Sequence, residues 1–204
     1  MKYKFVVSGS ADIGECAVGG KDCGICSPDI QIRSEELGRE IVRQGGILIT
    51  GATTGAPYAA AKGAKEEGGV SVGISPAATF AEHVKSYRLP TDYFDFIIYT
   101  GFNYSGRNLI LTKAADAVVI SCGGFGTLNE FTIALEDNKP IGVLVGSGGA
   151  TNEIARLLEN IKDPHKHDKG RVVFSESPKE LISKLIELIE KEHQSPEEVE
   201  KVGD

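Results

Sequence analysis

No apolar run in this chain approaches the ~20 residues that a membrane-spanning helix needs, so no membrane partner is expected. There is no basic excess either. The 22 Lys and Arg stand against 29 Asp and Glu, a formal net charge of -7. Phosphate backbones select basic surfaces, which argues against nucleic acid as a partner. A small anion stays open, because it needs only a local cluster of donors. The start, MKYKFVVSGS, is basic, but its apolar run is only Phe5 to Val7. That is too short for a signal-peptide core, and a cytoplasmic location is expected. A disulfide-stapled pattern is missing too: three of the four cysteines crowd into CAVGGKDCGIC. No internal repeat is present.

What is there is an alternation. KFVVSG, ILITG, VSVGIS, FDFIIYT, DAVVIS, PIGVLVG and RVVFS read as seven strands. Helical patterns separate most of them. The first spans SPDIQIRSEELGREIVRQGG, with Ser27 as N-cap, Pro28 at the first helical position, and Ile32, Leu37, Ile41 and Val42 on one face. In the helix YSGRNLILTKAA, Leu109, Ile110 and Leu111 face inward in part. The strands are apolar throughout rather than alternating, so both faces are buried. The expected fold is one α/β Rossmann-like, three-layer domain over residues 1–193, with a parallel sheet of about seven strands and a polar acidic tail at 194–204. Ligands of such sheets bind beyond the carboxyl ends of the strands, where strand order reverses.

Three glycine-rich turns fall there: SGSADIG, TGATTGAP and SCGGFGT. Glycine gives tight turns and close backbone approach. Amides at a helix start, with the helix dipole behind them, favour an anion. Ser8, Gly9, Ser10, Gly51, Thr54, Gly55, Gly123, Gly124, Gly126 and Thr127 are therefore the candidate phosphate- or nucleotide-binding residues. The last turn lacks the Gly-Lys-Ser/Thr ending of a P-loop and does not fit G-x-G-x-x-G. Glu130 stands three residues beyond Thr127. It either faces the part of a ligand away from the phosphate, or closes a capping box with Thr127 as N-cap.

ADAVVISCGGFGTLNE resembles the P-G-G-x-G-T-x-x-E segment of the Lonely Guy family, long misnamed lysine decarboxylases. GRNLILTKAADAVV resembles the helix that carries that family's catalytic arginine, and ITGATTGAPYAAAKGAKEEGGVSVGISP its second glycine turn. The likeness runs over roughly residues 4–145, and is closer to a branch that includes molybdenum cofactor carrier proteins. It implies a homodimer or higher homo-oligomer, and phosphoribohydrolase chemistry in the enzymatic members: cleavage of the N-glycosidic bond of a nucleoside 5'-monophosphate, with no cofactor required. On that likeness Glu130 and Arg107 form the catalytic pair, the carboxylate stabilising an oxocarbenium-like sugar and the guanidinium holding the phosphate or orienting Glu130, so Arg107 and Asn108 join the nucleotide-binding set. The pattern departs from the enzymes in several places. Their Met-His-x-Arg-Lys is replaced around Arg107, a cysteine (Cys122) precedes the paired glycines, and the second turn lacks a triple glycine. A non-catalytic carrier or sensor of a phosphorylated, nucleotide-like ligand needs only the cradle.

The connection after the first strand is long and holds Cys16, Cys23 and Cys26. Cys23-x2-Cys26 has metal-ligand spacing, and Cys122 ends the fifth strand at the same sheet edge. A zinc or iron-sulfur site on these four, a redox dithiol and unligated loop thiols all stay open. His165 and His167 read as loop residues, and His83 and His193 as isolated on helix surfaces. Tyr104 is placed either to stack on a base or simply to pack.

Overall fold

The computed structural model describes residues 2–13, 25–161 and 169–194. The sheet is built from β1 (Lys4–Ser8), β2 (Ile47–Thr50), β3 (Ser71–Ser75), β4 (Phe96–Tyr99), β5 (Ala117–Ile120), β6 (Ile141–Leu144) and β7 (Val172–Ser175). All seven run parallel, in the order β4-β3-β2-β1-β5-β6-β7. The chain steps outward from β1 to β4, then returns to place β5 on the other side of β1. The order therefore reverses between β1 and β5, where Ser8 pairs with Ile120. That is the crevice in which open α/β sheets bind ligands.

The helices are α1 (Ile30–Arg43), α2 (Gly55–Glu66), α3 (Phe80–Lys85), α4 (Asn103–Lys113), α5 (Phe125–Glu136), α6 (Thr151–Asn160) and α7 (Pro178–Gln194). The period-two pleat sorts the strands' side chains into two cores. Phe5, Val7 and Leu48 pack against Leu37, Ile41, Ala60, Ala64, Leu181 and Leu185 of α1, α2 and α7. Val6, Ile49 and Val118 pack with Leu111, Phe131 and Ile154 of α4, α5 and α6 on the other face. The α1–α2 contact is backbone-close. A Cβ on Gly38 would be driven into the Ala60 backbone, and one on Gly63 into that of Glu35. The alanines of α2 are what such a close crossing requires.

Several local expectations are corrected. α1 begins at Ile30, because Ser27 and Pro28 form a preceding turn in which the Ile30 amide donates to the Ser27 carbonyl at 3.1 Å. Ile32 is 71% exposed, because five residues of helix carry it about 140° round from Leu37, while Leu37 and Ile41 are fully buried. The apolar trio of α4 does face inward in part: Leu111 is buried, Ile110 packs half-buried against the same core, and Leu109 stands exposed. His83 is not on a surface. It is fully buried, with its ring nitrogens 2.8 Å from Ser75 Oγ and 2.9 Å from the Pro90 carbonyl. It ties the segment around α3 to the end of β3. α7 starts at Pro178, with the Glu180 amide donating to Ser177 Oγ at 3.3 Å. No described helix is long and apolar enough to cross a membrane. Residues 195–204, His165 and His167 lie outside the described residues, as does the side chain of His193.

Candidate functional site

The turns after β1, β2 and β5 meet at the crevice. The Ser10 amide donates to the Cys122 carbonyl at 2.9 Å, and the Ser121 amide to the Ser8 carbonyl at 2.9 Å. The first and third turns are thereby locked side by side. Gly9 has no room for a Cβ, which would meet Ser121 Oγ and the Ala56 side chain. Gly123 adopts φ +154° and lies against Thr127, where a Cβ would collide with the hydroxyl. A side chain at either position would push the strand ends apart.

The second turn divides its residues between two tasks. Gly51 lies against the Arg107 guanidinium, and a Cβ there would displace it. Thr53 lines the cleft. Thr54 and Gly55 do not line it. They brace the first turn instead, through a Thr54 hydroxyl donating to the Ala11 carbonyl at 2.6 Å and an Ala56 amide donating to the Ser10 carbonyl at 2.9 Å. Gly55 adopts φ +73° with Ser10 and Ala11 pressed against it. Thr53 is thus a cleft residue that the sequence reading missed. Two adjacent threonines carry no spacing signal to tell them apart.

Arg107 and Glu130 come together on the floor. Arg107 is 5% exposed and Glu130 6% exposed. Arg107 Nη1 donates to Glu130 Oε1 at 3.3 Å. The Ser8 hydroxyl donates to Glu130 Oε2. With its amide nitrogen turned toward Glu130, Asn108 donates to Oε1 at 2.9 Å and to the Tyr104 carbonyl at 2.9 Å. Glu130 is therefore no helix cap. α5 has Gly124 as N-cap, so Glu130 lies in its second turn and the capping-box expectation is corrected.

Electrostatics at this pair are set by burial. Desolvation pushes the Glu130 carboxyl above its ordinary range, against the opposing pull of Arg107 and the Ser8 hydroxyl. Desolvation likewise pulls the Arg107 guanidinium down, against Glu130 and Tyr104. Nε of Arg107 is buried with no partner, so the fork keeps donor capacity unspent.

An open cleft of ≈ 220 Å³ lies over this floor. Gly9, Ser10, Gly124, Gly126, Thr127 and Arg107 all line it, with Tyr104 and Asn108 at one wall. A narrower recess of ≈ 20 Å³ continues behind the guanidinium, between Ser8, Gly51, Thr53 and Glu130, with room for one water-sized group. The arrangement offers main-chain amides at a helix start, one threonine hydroxyl and one buried cation. That donor set suits an anion.

The cysteines need a correction. Cys26 and Cys122 do converge at this sheet edge, but as a disulfide, in which neither sulfur is a thiolate free to ligate. Cys16 and Cys23 lie outside the described residues. Among the described residues no cluster of three or more His, Cys, Asp or Glu is placed to hold a metal.

The SLOG cluster4 family model matches residues 15–182. An uncharacterized protein of Archaeoglobus fulgidus is 32% identical over 127 residues, which is 62% of this chain and 78% of that one. The molybdenum cofactor binding protein from Rippkaea orientalis superposes with a TM-score of 0.68 at 27% identity, over 95% of this chain and 98% of that one. The molybdenum cofactor carrier protein of Chlamydomonas reinhardtii superposes with a TM-score of 0.70 at 26% identity, over 94% and 99%.

Proposed function

The chain belongs to the SLOG cluster4 family, and on that premise we propose that it is a carrier-type protein that holds a small phosphorylated ligand in the glycine-lined cleft without cleaving it. The observation that carries this reading is Arg107. A guanidinium this deeply buried, with donors unspent and a cleft above it, is costly unless an anion completes it. The amides at the start of α5 and the Thr127 hydroxyl supply further donors. The likeness to molybdenum cofactor proteins makes a phosphorylated pterin the first ligand class to try.

Phosphoribohydrolase activity is the second reading, favoured by Glu130 standing beside Arg107 at the cleft floor. Physical chemistry weighs against it. An oxocarbenium-like sugar needs a charged carboxylate, whereas burial already biases Glu130 toward its neutral form. A bound phosphate nearby would bias it further. The test is incubation with a panel of nucleoside 5'-monophosphates, assaying free base and ribose 5-phosphate, alongside calorimetric titration. Binding without release of base is expected. Base release that disappears in Glu130→Gln would replace the carrier reading with the hydrolase.

A homodimer belongs to the same proposal. Phe96 and Ile98 stand exposed on the edge strand β4, and Leu109 on α4. An edge strand carrying bare apolar side chains invites a partner unless it is covered. Light scattering should give twice the 21.7 kDa chain mass, and Phe96→Glu with Ile98→Glu should give single chains. A wild-type protein that already runs as a single chain would rule the dimer out.

A further inference from the structure

The disulfide sits where it can act on the cleft. Cys122 directly precedes the Gly123-Gly124 turn, and its carbonyl holds the Ser10 amide of the first turn. Cys26 forms an antiparallel bridge with Gly148, and the Ser27 amide donates to the Ser147 carbonyl at 2.8 Å. Gly148 adopts φ +93°, with the Ile25 carbonyl packed where a Cβ would be. The next residue, Gly149, lies against the Gly123 backbone, and the Ala150 amide donates to the Gly123 carbonyl at 2.7 Å. Four pieces of backbone thus form one knot beneath the third turn: residues 8–10, 25–27, 121–124 and 147–150. The Cys26–Cys122 bond is its covalent tie across 96 residues of sequence.

We propose that Cys26 and Cys122 form a thiol–disulfide switch that sets the order of the Gly123-Gly124 turn and hence the affinity of the cleft for phosphate. The switch itself is independent of the carrier reading; only its affinity readout rests on that reading. The co-reactant is a dithiol. Its thiolate attacks Sγ of Cys26, which is 7% exposed where Cys122 is fully buried. The protein S–S bond breaks, a mixed disulfide forms, and the Cys122 sulfur leaves as a thiolate that takes up a proton. The second dithiol sulfur then displaces Cys26, which also takes up a proton. Two electrons pass to the protein, and the dithiol becomes a cyclic disulfide. With the tie open, residues 25–27 are held to the rest of the knot only by hydrogen bonds and by the packing of Cys26 among Ile30, Ala56 and Cys122. The third turn then samples arrangements that do not bind.

The test uses the full chain with Cys16→Ser and Cys23→Ser, so that only this pair reports. It is equilibrated in graded ratios of reduced to oxidised dithiothreitol, quenched, alkylated and weighed by mass spectrometry. One two-thiol step is expected. The oxidised form should bind inorganic phosphate about tenfold more tightly, as when the competent turn falls to a tenth of the population on reduction. It should also melt roughly 10 °C higher, from loop closure in the unfolded chain. Amide exchange at residues 123–128 and 147–151 should slow on oxidation, and Cys26→Ala with Cys122→Ala should match the reduced form whatever the dithiol. Equal affinity and equal exchange in both states would overturn the switch, even if melting differs, and leave a mere staple. So would thiols that never pair. No phosphate binding in either state, with exchange still dependent on the bond, would overturn the carrier reading and keep the switch.

Discussion

Replacing Arg107 with alanine will weaken binding of inorganic phosphate or ribose 5-phosphate by roughly a hundredfold and will destabilise the fold in a pH-dependent way. The affinity loss follows from removing charge-assisted hydrogen bonds, each contributing about 1.5–3 kcal/mol. The stability loss follows from what stays behind. Glu130 is then a buried carboxylate without its cation, and breaking a buried pair costs about 3–5 kcal/mol. Protonation limits that cost. The folded Glu130 carboxyl lies above its ordinary value, so its contribution is fully present below the unfolded carboxyl value near ~4.3 and is lost as pH rises through the folded value. Without Arg107 to hold it down, the folded value climbs and the loss extends to higher pH. The deficit against wild type should therefore be small in acid and grow toward neutrality, as urea denaturation at several pH values would show. Arg107→Ala combined with Glu130→Gln should recover most of the stability and none of the affinity. Arg107→Lys should recover part of each, because an ammonium cannot reproduce the fork against Gly51. A deficit already large in acid and flat with pH would mean that Glu130 is charged throughout, and would reopen the catalytic reading.

The sheet was legible in the sequence because each strand is a short apolar run, and those of β1, β2 and β5 close in glycine turns; both signals act locally. The three glycine turns were legible for the same reason, whereas the strand order that brings those after β1 and β5 side by side depends on non-local pairing. What escaped depends on side-chain rotation about elements whose starts were shifted by a few residues. Reading Thr127 as N-cap made Glu130 a capping partner. With Gly124 as N-cap, the same carboxylate moves one turn inward and meets Ser8 and Arg107. Ile32 faces solvent because its five-residue spacing from Leu37 takes it off the buried helical face. His83 was misplaced because α3 has only 6 residues, too few to show a periodic face, and its partners, Ser75 at the end of β3 and the Pro90 carbonyl, lie on other segments. Thr53 and Thr54 differ only in which way a turn of αL-type backbone at Ala52, φ 51°, sends them. The meeting of Cys26 and Cys122 at one edge was readable from topology. Their bonding to each other is a matter of distance, which topology does not supply.

Gly126 allows binding to be separated from folding more cleanly than any charged residue. It lies in the first turn of α5 and lines the cleft, and a Cβ built on it meets nothing within 4 Å. Gly126→Ala should leave stability unchanged or raise it by up to ~1 kcal/mol, because alanine is the better helix former. It should nonetheless reduce phosphate affinity roughly tenfold, and Gly126→Leu by ~100-fold, as the added atoms occupy space the anion needs beside the amides. Gly123→Ala makes the contrast. Its φ of +154° and the Thr127 hydroxyl against it mean that a methyl there must distort the turn, so stability and affinity should fall together. Calorimetric titration beside thermal melts on the three variants decides the matter. Unchanged affinity in a well-folded Gly126→Leu protein would show that the anion does not sit on the start of α5, and the cradle would have to be sought among the other cleft residues, Ser10 and Thr53. Affinity lost already in Gly126→Ala, with an intact melt, would place the ligand's charge beside these amides, because a single methyl leaves the rest of the cleft open.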